Sequence, residues 1–149
     1  MADVGAAATG PGRILGLDPG EARLGVAVSD ETRTIAQPHA TVSARGRDGG
    51  LSQVAGLVQQ LGVTEVVVGL PLLLDGTEGQ AALAARRLGE ALRALTGVVV
   101  GYVDERLTTR QAERELLAMG HGRRRRRLLG DQVAAALILQ QRLASEHRR

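Results

Sequence analysis

The sequence predicts an α/β fold: a mixed sheet of five strands with helices packed on it. Three observations predict this fold class. Three short apolar runs near the start of the chain are separated by turns, as in an antiparallel meander. Two later Val-rich runs each precede a segment with helical spacing, as in parallel strand–helix repeats. The length of 149 residues suits one domain that can bury a core.

The meander comes first in the chain. Residues 13–17 form an apolar run that stops at an Asp-Pro-Gly turn. In residues 23–29 apolar side chains alternate with small ones, which is the period of a strand. The short connection between these two runs predicts a hairpin. A third strand is expected over residues 34–40, at the edge of the sheet because Pro38 cannot donate a ladder hydrogen bond.

The two later strands are read from continuous apolar runs. Residues 65–70 and 98–103 are Val-rich, which is typical of strands buried on both faces. Between them, Thr77 and Gln80 have the spacing of a capping box. We therefore expect a helix that opens at this box and ends near Leu95.

The remaining helices follow from spacing and capping patterns. Apolar residues at helical intervals predict the first helix over residues 51–61, after a loop rich in Arg and Gly. A second capping pattern predicts a helix over residues 108–120. Residues 122–127 are read as a basic linker. The last helix is expected from Asp131 to about Glu146.

The composition excludes several classes of chemistry. The chain has no Cys, Lys, Trp or Phe, and Tyr102 is its one aromatic residue. Disulfides, thiolate zinc sites and cysteine nucleophiles are excluded. A Walker A lysine, a Schiff-base lysine and an aromatic platform for stacking bases are excluded as well. Carboxylates, hydroxyls and arginine are left for catalysis.

The positive charge is concentrated at one end of the chain. Residues 1–120 carry 11 arginines against 14 acidic residues, whereas residues 121–149 carry 8 arginines against 2. A basic end of this kind indicates a partner that bears phosphates, although a solvated basic tail has the same composition.

The domain organisation is simple. Residues 1–12 are read as a flexible leader rich in Ala and Gly, because they lack the basic and apolar regions of a signal peptide. Residues 13–146 are expected to form a single domain, followed by a basic tail at 147–149. The apolar runs are too short to cross a membrane, so we expect a cytoplasmic protein.

Acidic residues stand at three places where strands or helices begin or end. Asp18 follows the first strand, Asp104 and Glu105 end the last strand, and Asp131 begins the final helix. Sites on such sheets gather at the carboxyl ends of strands. Clustered carboxylates repel one another unless cations bind, and their oxygens suit Mg²⁺ or Mn²⁺. Two such ions would support cleavage of a phosphodiester.

Each acid also has a purely structural explanation. Asp18 is an ordinary turn residue before Pro and Gly. Glu105 could be a surface acid paired with Arg106 or Arg110. Asp131 could cap the last helix. Against the cap, the residues three, four and seven positions after Asp131 are apolar, and this face should pack on the sheet and aim the carboxylate inward.

Two further segments have a functional and a structural interpretation. The turn-rich stretch 69–79 leads into a helix whose free N–H groups could face a phosphate, or it is simply a well-specified loop. A run of five arginines could neutralise backbone phosphates without reading sequence, or lie in solvent. Its members are Arg123, Arg124, Arg125, Arg126 and Arg127.

The ordered motifs resemble those of the YqgF/RuvX family. The resemblance covers about residues 13–143, and five motifs in the same order make it specific. The matching segments are Ile14-Leu15-Gly16-Leu17-Asp18-Pro19-Gly20 with residues 23–30, Gly69-Leu70-Pro71 with residues 75–79, Asp104-Glu105-Arg106-Leu107-Thr108-Thr109, and Asp131-Gln132-Val133-Ala134-Ala135-Ala136 with residues 138–140.

The resemblance implies an RNase H-like fold and a metal-dependent nuclease related to Holliday junction resolvases. Members are described as candidate nucleases at the 5′ end of pre-16S rRNA, and earlier as candidate junction resolvases. By motif match, Asp18, Glu105 and Asp131 would bind the metal and act in catalysis, with Asp104 as a second candidate in its motif. Where many members carry Asn, this chain has Leu73, which puts a polar substrate contact there in question.

Three hypotheses about function follow. The leading one is a two-metal phosphodiesterase that acts on structured RNA or branched DNA, with the ribosome precursor as its partner and Mg²⁺ or Mn²⁺ as its cofactor. The second is a non-catalytic nucleic-acid or ribosome-binding factor on the same fold. An actin-like ATPase, the third, needs two domains, which 149 residues do not supply. A resolvase would act as a homodimer to make two symmetric cuts, whereas a monomer could trim RNA ends.

Overall fold

The computed structural model describes residues 12–107 and 123–146. The expectations for the leader up to residue 11, the helix over residues 108–120 and the tail at 147–149 lie outside the described residues. The described elements are β1 Arg13–Pro19, β2 Arg23–Ser29, β3 Ala36–Ser43, α1 Leu51–Gln60, β4 Val63–Leu70, α2 Gln80–Thr96, β5 Val99–Asp104, a 3₁₀ turn Glu105–Leu107 and α3 Arg123–Glu146.

The five strands form one mixed sheet in the order β3-β2-β1-β4-β5. The pairs β1–β2 and β2–β3 are antiparallel, whereas β1–β4 and β4–β5 are parallel. The predicted meander followed by two parallel strands is therefore confirmed. This order places β1 at the centre, and because β1, β4 and β5 run parallel, their carboxyl ends lie at the same end of the sheet.

Helices cover both faces of the sheet. Successive side chains of β1 alternate between the faces, and Leu15 and Leu17 belong to the core under α1 and α2. Ile14 belongs to the core under α3, together with Ile138 and Leu139 of that helix. Among the described residues, no helix has the length and apolar character needed to cross a membrane.

The last helix is longer than the sequence indicated. The predicted linker over residues 122–127 is wrong for 123–127, because α3 begins at Arg123, eight residues before Asp131. The physical reason is that arginine has a helix propensity close to that of leucine, so a run of arginines does not interrupt a helix. Asp131 therefore lies inside α3 and cannot be its cap.

The predicted capping box at the start of α2 is also wrong. The helix begins at Gln80, and Gly79 is the N-cap residue, with no side-chain cap. The hydroxyl of Thr77 instead donates to the carboxylate of Asp75 at 2.6 Å, and the Thr77 backbone N–H donates to the same oxygen. Local bonding of this side chain inside the loop thus replaces the helix cap.

The edge position of the third strand is confirmed. β3 pairs with β2 alone and runs from Ala36 to Ser43, beginning and ending later than predicted. The register of this pair shifts beside Pro38, because Ala27 lies opposite Pro38 while Val26 lies opposite Ala40. The shift is a bulge at a residue that cannot complete the ladder.

An ion-pair network connects the C-terminal part of α3 to the end of the sheet where β4 begins. The guanidinium of Arg33, which is 8% exposed, donates to Glu65 and to Glu146. Arg142 also donates to both acids, with 2.6 Å from its Nε to Oε2 of Glu65. The C-terminal part of α3 is therefore tied to the start of β4 and to the turn between β2 and β3.

Candidate active site

Asp18 stands next to last in β1, on the face of the sheet that α3 covers. The alternation Ile14, Gly16, Asp18 sets this face, since Ile14 and Gly16 both lie under α3. In the antiparallel ladder, Asp18 is the register partner of Gly25. The position of Asp18 therefore depends on how α3 packs across these two strands.

The backbone of α3 passes directly over Gly25. A Cβ atom at this position would overlap the carbonyl oxygen of Asp131 and stand 3.1 Å from its Cα. At Gly16, a Cβ would lie 2.8 Å from the carbonyl oxygen of Ala135. The two glycines thus form a shallow groove that holds α3 against the sheet and brings Asp131 to the residue paired with Asp18.

Asp131 lies inside α3, and its helix face packs on the sheet. Ala135 and Ile138, four and seven positions on, are fully buried. The prediction that this face packs on the sheet is confirmed, whereas the alternative of a helix cap is wrong. The Oδ2 atom of Asp131 accepts a hydrogen bond from Nε of Arg23 at 2.7 Å, in a partly exposed ion pair.

Glu105 reaches the same end of the sheet from the turn that follows β5. Its carboxyl group is hydrogen-bonded to that of Asp18, and its Oε2 atom is buried. Gly69 on the neighbouring strand makes room for it, because a Cβ there would stand 3.4 Å from Oε2 and would also meet Ile138. We call Asp18, Glu105 and Asp131 the carboxylate cluster.

Burial and neighbouring charge alter the acidity of Asp18. Desolvation raises the pKa of its carboxyl to about 10, with further increases from the hydrogen bond to Glu105 and from the charges of Glu105 and Asp131. The buried carboxyl of Asp18 therefore resists ionisation beside the other two acids. The charges of Glu105 and Asp131 contribute part of this shift, and a cation bound beside the acids would oppose that part.

Asp104 lies outside the cluster, although the sequence offered it as a second candidate. Strand alternation sends its side chain away from α3, and its carboxylate accepts hydrogen bonds from Nε and Nη2 of Arg106. This ion pair lowers the pKa of Asp104. The structure thus joins Glu105, and not Asp104, to Asp18.

The donor chemistry of the cluster fits a hard divalent cation, because carboxylate oxygens are the ligands that Mg²⁺ and Mn²⁺ prefer. Over residues 12–107 and 123–146, however, no group of three or more His, Cys, Asp or Glu side chains is close enough to hold a metal ion. Asp131 is already bound to Arg23. The residue types fit a metal, while their present arrangement is not a closed coordination site.

The arginine run and the turn-rich stretch 69–79 were the other predicted site features. The backbone of residues 123–127 forms the start of α3, about one to just over two turns before Asp131, while their side chains lie outside the described structure. The stretch 69–79 contains the last two residues of β4 and a loop closed by its own hydrogen bonds. A cavity of about 500 Å³ lies on the opposite face, between the turn after Asp18 and α2, and no member of the carboxylate cluster lines it.

Two arginines beside the cluster make contacts that the sequence did not predict, since Arg106 was offered only as a possible partner of Glu105. Arg23 contacts Asp131, and Arg106 contacts Asp104 and the loop after β4. Strand parity contained a signal for Arg23, because it begins β2 two positions before Gly25 and therefore points to the same face. Nothing in the local sequence around Arg106 indicated its contact with a loop more than 30 residues away.

Comparison with known proteins gives one family. The family model described as "RuvX: Holliday junction resolvase" matches residues 12–145. A protein of Roseiflexus sp. (strain RS-1), named "Putative pre-16S rRNA nuclease", is 42% identical over 136 residues, which cover 91% of this chain and 96% of that protein. A protein of the same name from Chloroflexus aggregans is 45% identical over 127 residues, which cover 85% of this chain and 89% of the other.

Solved structures identify the fold. RuvC of Thermus thermophilus superposes with a TM-score of 0.53 at 18% identity, covering 89% of this chain and 96% of the other. The same protein in complex with a Holliday junction substrate gives a TM-score of 0.55 with the same coverage. The expected RNase H-like fold class is therefore confirmed.

Proposed function

The chain belongs to the RuvX family, and on that premise we propose that it is a nuclease that hydrolyses phosphodiester bonds with divalent cations. Its proposed substrate is the precursor of 16S rRNA, processed at the 5′ end in the cytoplasm. The names of the curated relatives support this choice of substrate. The partner is then a structured RNA within a ribosome precursor.

One observation carries the proposal of catalysis. Asp18 and Glu105 share a hydrogen bond at the carboxyl ends of β1 and β5, and the charge of Asp131 on α3 acts on the same carboxyl. Three acids from distant parts of the chain thus lie at one end of the sheet, where the charges of Glu105 and Asp131 disfavour ionisation of Asp18. Repulsion of this kind destabilises a fold unless a cation relieves it, so the arrangement supports a role in binding cations.

In this proposal Asp18, Glu105 and Asp131 hold two ions of Mg²⁺ or Mn²⁺. When bound, the metal lowers the pKa of water and stabilises the leaving oxygen of the phosphodiester. The chain itself fixes the positions of the acids through the backbone contact at Gly25 and the space at Gly69. Burial of the Glu105 Oε2 atom keeps bulk water away from that side of the cluster.

The decisive experiment offers the purified protein an RNA with a 5′ extension in Mg²⁺ or Mn²⁺. We expect Asp18→Asn, Glu105→Gln and Asp131→Asn each to reduce cleavage at least 100-fold, because each removes a metal ligand, while binding of the RNA is largely retained. Asp104→Asn is the matched control, since this acid lies outside the cluster, and it should keep most of the activity. Full activity of both Asp18→Asn and Asp131→Asn would overturn the proposal.

A second candidate function is the resolution of branched DNA. The description of the matching family model favours it, and so does the likeness of the fold to RuvC. A four-way DNA junction, offered beside the RNA, distinguishes the two substrates. Paired symmetric cuts by a dimer would favour the resolvase. Binding of both substrates without cleavage of either would instead favour a non-catalytic binding factor.

A further inference from the structure

The loop that follows β4 is closed by its own hydrogen bonds. We call residues 72–79 the β4–α2 loop. The backbone N–H of Leu73 donates to the carbonyl of Thr77 at 2.9 Å, and that of Gly76 donates back to the carbonyl of Leu73 at 2.8 Å. The carboxylate of Asp75 accepts two further bonds from Thr77. The loop therefore holds one conformation without contributing its tip to the core.

Arg106 ties this loop to the carboxylate cluster. Its Nη1 donates to the carbonyl of Leu74 at 3.2 Å and to that of Leu73 at 3.4 Å. The same guanidinium is paired with Asp104, at 2.7 Å from Nη2 to Oδ2. Because Arg106 follows Glu105 directly, the tip of the loop is fixed relative to the cluster through a single residue.

The side chains at the tip are apolar and exposed. Leu72 packs against the core, whereas Leu73 is 52% exposed and Leu74 is 99% exposed. Isolated exposed leucines are common on protein surfaces. Here a hydrogen-bonded loop holds Leu74 at the end of the sheet where the carboxylate cluster lies. A partner can therefore cover Leu74 with little loss of conformational entropy in this chain.

We propose that Leu74 is an apolar wedge that packs against an unstacked base of the nucleic acid cut at the carboxylate cluster. This inference rests on the proposed function and adds a specificity-determining residue to it. Apolar side chains, leucine among them, open base steps in this way when the neighbouring contacts hold the backbone of the nucleic acid. Leu73, half-exposed beside it, widens the apolar surface.

The choice of a nucleic acid over a protein partner follows from the position of the loop. Its tip is hydrogen-bonded to Arg106, the residue after Glu105, so a nucleic acid bound at the cluster has this loop as a neighbour. The chain has a single aromatic residue, Tyr102, and this side chain is engaged with Glu90 of α2. Tyr102 is therefore not a platform on which bases can stack, and in this proposal Leu74 at the loop tip makes the apolar contact with the base instead.

The test uses two substrates that carry 2-aminopurine, a base whose fluorescence rises when it is unstacked. One is an RNA duplex with a 5′ extension, labelled at the boundary of the duplex, and the other is a four-way DNA junction, labelled at the crossover. Binding is measured with Asp18→Asn, which does not cut in this proposal. The variants are Leu74→Ser and Leu74→Phe, and the control is Leu95→Ser, an exposed leucine near the C-terminal end of α2.

We expect binding to raise the 2-aminopurine fluorescence of at least one substrate, and Leu74→Ser to abolish this rise. In the background with native Asp18, Leu74→Ser should lower kcat/KM about tenfold, which corresponds to about 1.4 kcal/mol. Leu74→Phe should retain both signals, because it keeps an apolar side chain at the tip. Leu95→Ser should behave as the unmodified protein does.

The outcomes separate this inference from the proposed function. An unmodified protein that cuts neither substrate refutes the nuclease proposal, while the fluorescence of the bound complexes still tests the wedge. A Leu74→Ser variant with unchanged fluorescence and unchanged kcat/KM overturns the wedge alone. If Leu74→Ser changes only the oligomeric state measured by light scattering, the leucine contacts protein, and the wedge is likewise refuted.

Discussion

The Nε atom of Arg23 lies 2.7 Å from the Oδ2 atom of Asp131, so one acid of the carboxylate cluster is neutralised by an arginine of the same chain. The pair is partly exposed, at 32% for Arg23 and 25% for Asp131. A guanidinium at this position competes with any cation for the same oxygen. Metal binding and this ion pair should therefore be linked.

Arg23→Gln should lower the Mg²⁺ concentration needed for half-maximal cleavage. A partly exposed ion pair contributes about 0.5–1 kcal/mol, which corresponds to a decrease of about two- to fivefold. The measurement is cleavage rate against Mg²⁺ concentration. Arg93→Gln, which breaks an exposed pair with Glu90, is the control and should leave the titration unchanged. A higher Mg²⁺ requirement in Arg23→Gln would contradict the competition.

Asp18→Asn should stabilise the metal-free protein at neutral pH. The pKa of Asp18 is raised from an ordinary 3.8 to about 10 in the folded state, so its ionisation opposes folding from about pH 4 upward, and increasingly up to pH 10. The amide cannot ionise and avoids this cost. The melting temperature in EDTA should rise by about 2–4 °C for each kcal/mol by which the substitution lowers this free-energy cost.

The pH and metal dependence of this effect are its controls. The advantage of Asp18→Asn should shrink as the pH falls toward 4 and vanish below it, where the Asp18 carboxyl is protonated in the folded and the unfolded state. Added Mg²⁺ should raise the melting temperature of the unmodified protein and leave that of Asp18→Asn nearly constant, because only the former gains ligand binding. An Asp18→Asn protein that is less stable at every pH would disprove the account.

Gly25→Ala should destabilise the fold by about 3 kcal/mol or more. The added methyl overlaps the carbonyl of Asp131, and a backbone cannot move aside as a side chain does. The free energy of unfolding in denaturant measures the effect. Gly56→Ala is the matched control: nothing lies within 4 Å of its Cβ position in α1, so it should stabilise the protein by about 0.5–1 kcal/mol. Equal stabilities of the two variants would refute the close approach of α3.

Glu65→Gln should destabilise the protein by about 3 kcal/mol without changing kcat of the folded fraction. The substitution removes the charged carboxylate that pairs with both the buried guanidinium of Arg33 and that of Arg142. The exposed pair of Glu78 with Arg86 provides the comparison, and Glu78→Gln should cost under about 1 kcal/mol. Chemical denaturation compares the two, and similar losses would mean that the network adds no more than a surface pair.

Replacing Arg123, Arg124, Arg125, Arg126 and Arg127 by Gln should weaken the salt dependence of nucleic-acid binding. If all five contact duplex phosphates, the slope of log K against log salt concentration should flatten by about 4–5. Glutamine keeps a good helix propensity, so the start of α3 is retained. Fluorescence anisotropy in the Asp18→Asn background measures the slope. No change in slope would show that the run does not touch phosphates.

The fold was predictable because its signals are local. Val-rich runs and alternating small residues predicted the strands, and Pro38 predicted the edge. The errors at Thr77 and at Arg123 arose because each local pattern is compatible with two structures. A threonine can cap a helix or bond inside a loop, and a run of arginines can form a linker or a helix. Thr77 bonds inside its loop, and the arginines continue the helix.

The candidate site was predictable only in part. Strand ends and the family resemblance selected Asp18, Glu105 and Asp131, and strand parity could have separated Glu105 from Asp104. The contacts of Arg23 and Arg106 depend on register and on a loop distant in sequence. Such pairings follow from the assembled fold and not from any single segment.

The contact between Gly25 and Asp131 has a consequence for the distance between two acids of the cluster. The separation of α3 from β2 is set there by main-chain atoms, which have no rotamers and do not change when side chains are substituted. The closest approach of Asp131 to β2 is therefore limited by backbone atoms alone. Any side chain at position 25 would push α3 away from the sheet and carry Asp131 away from Asp18.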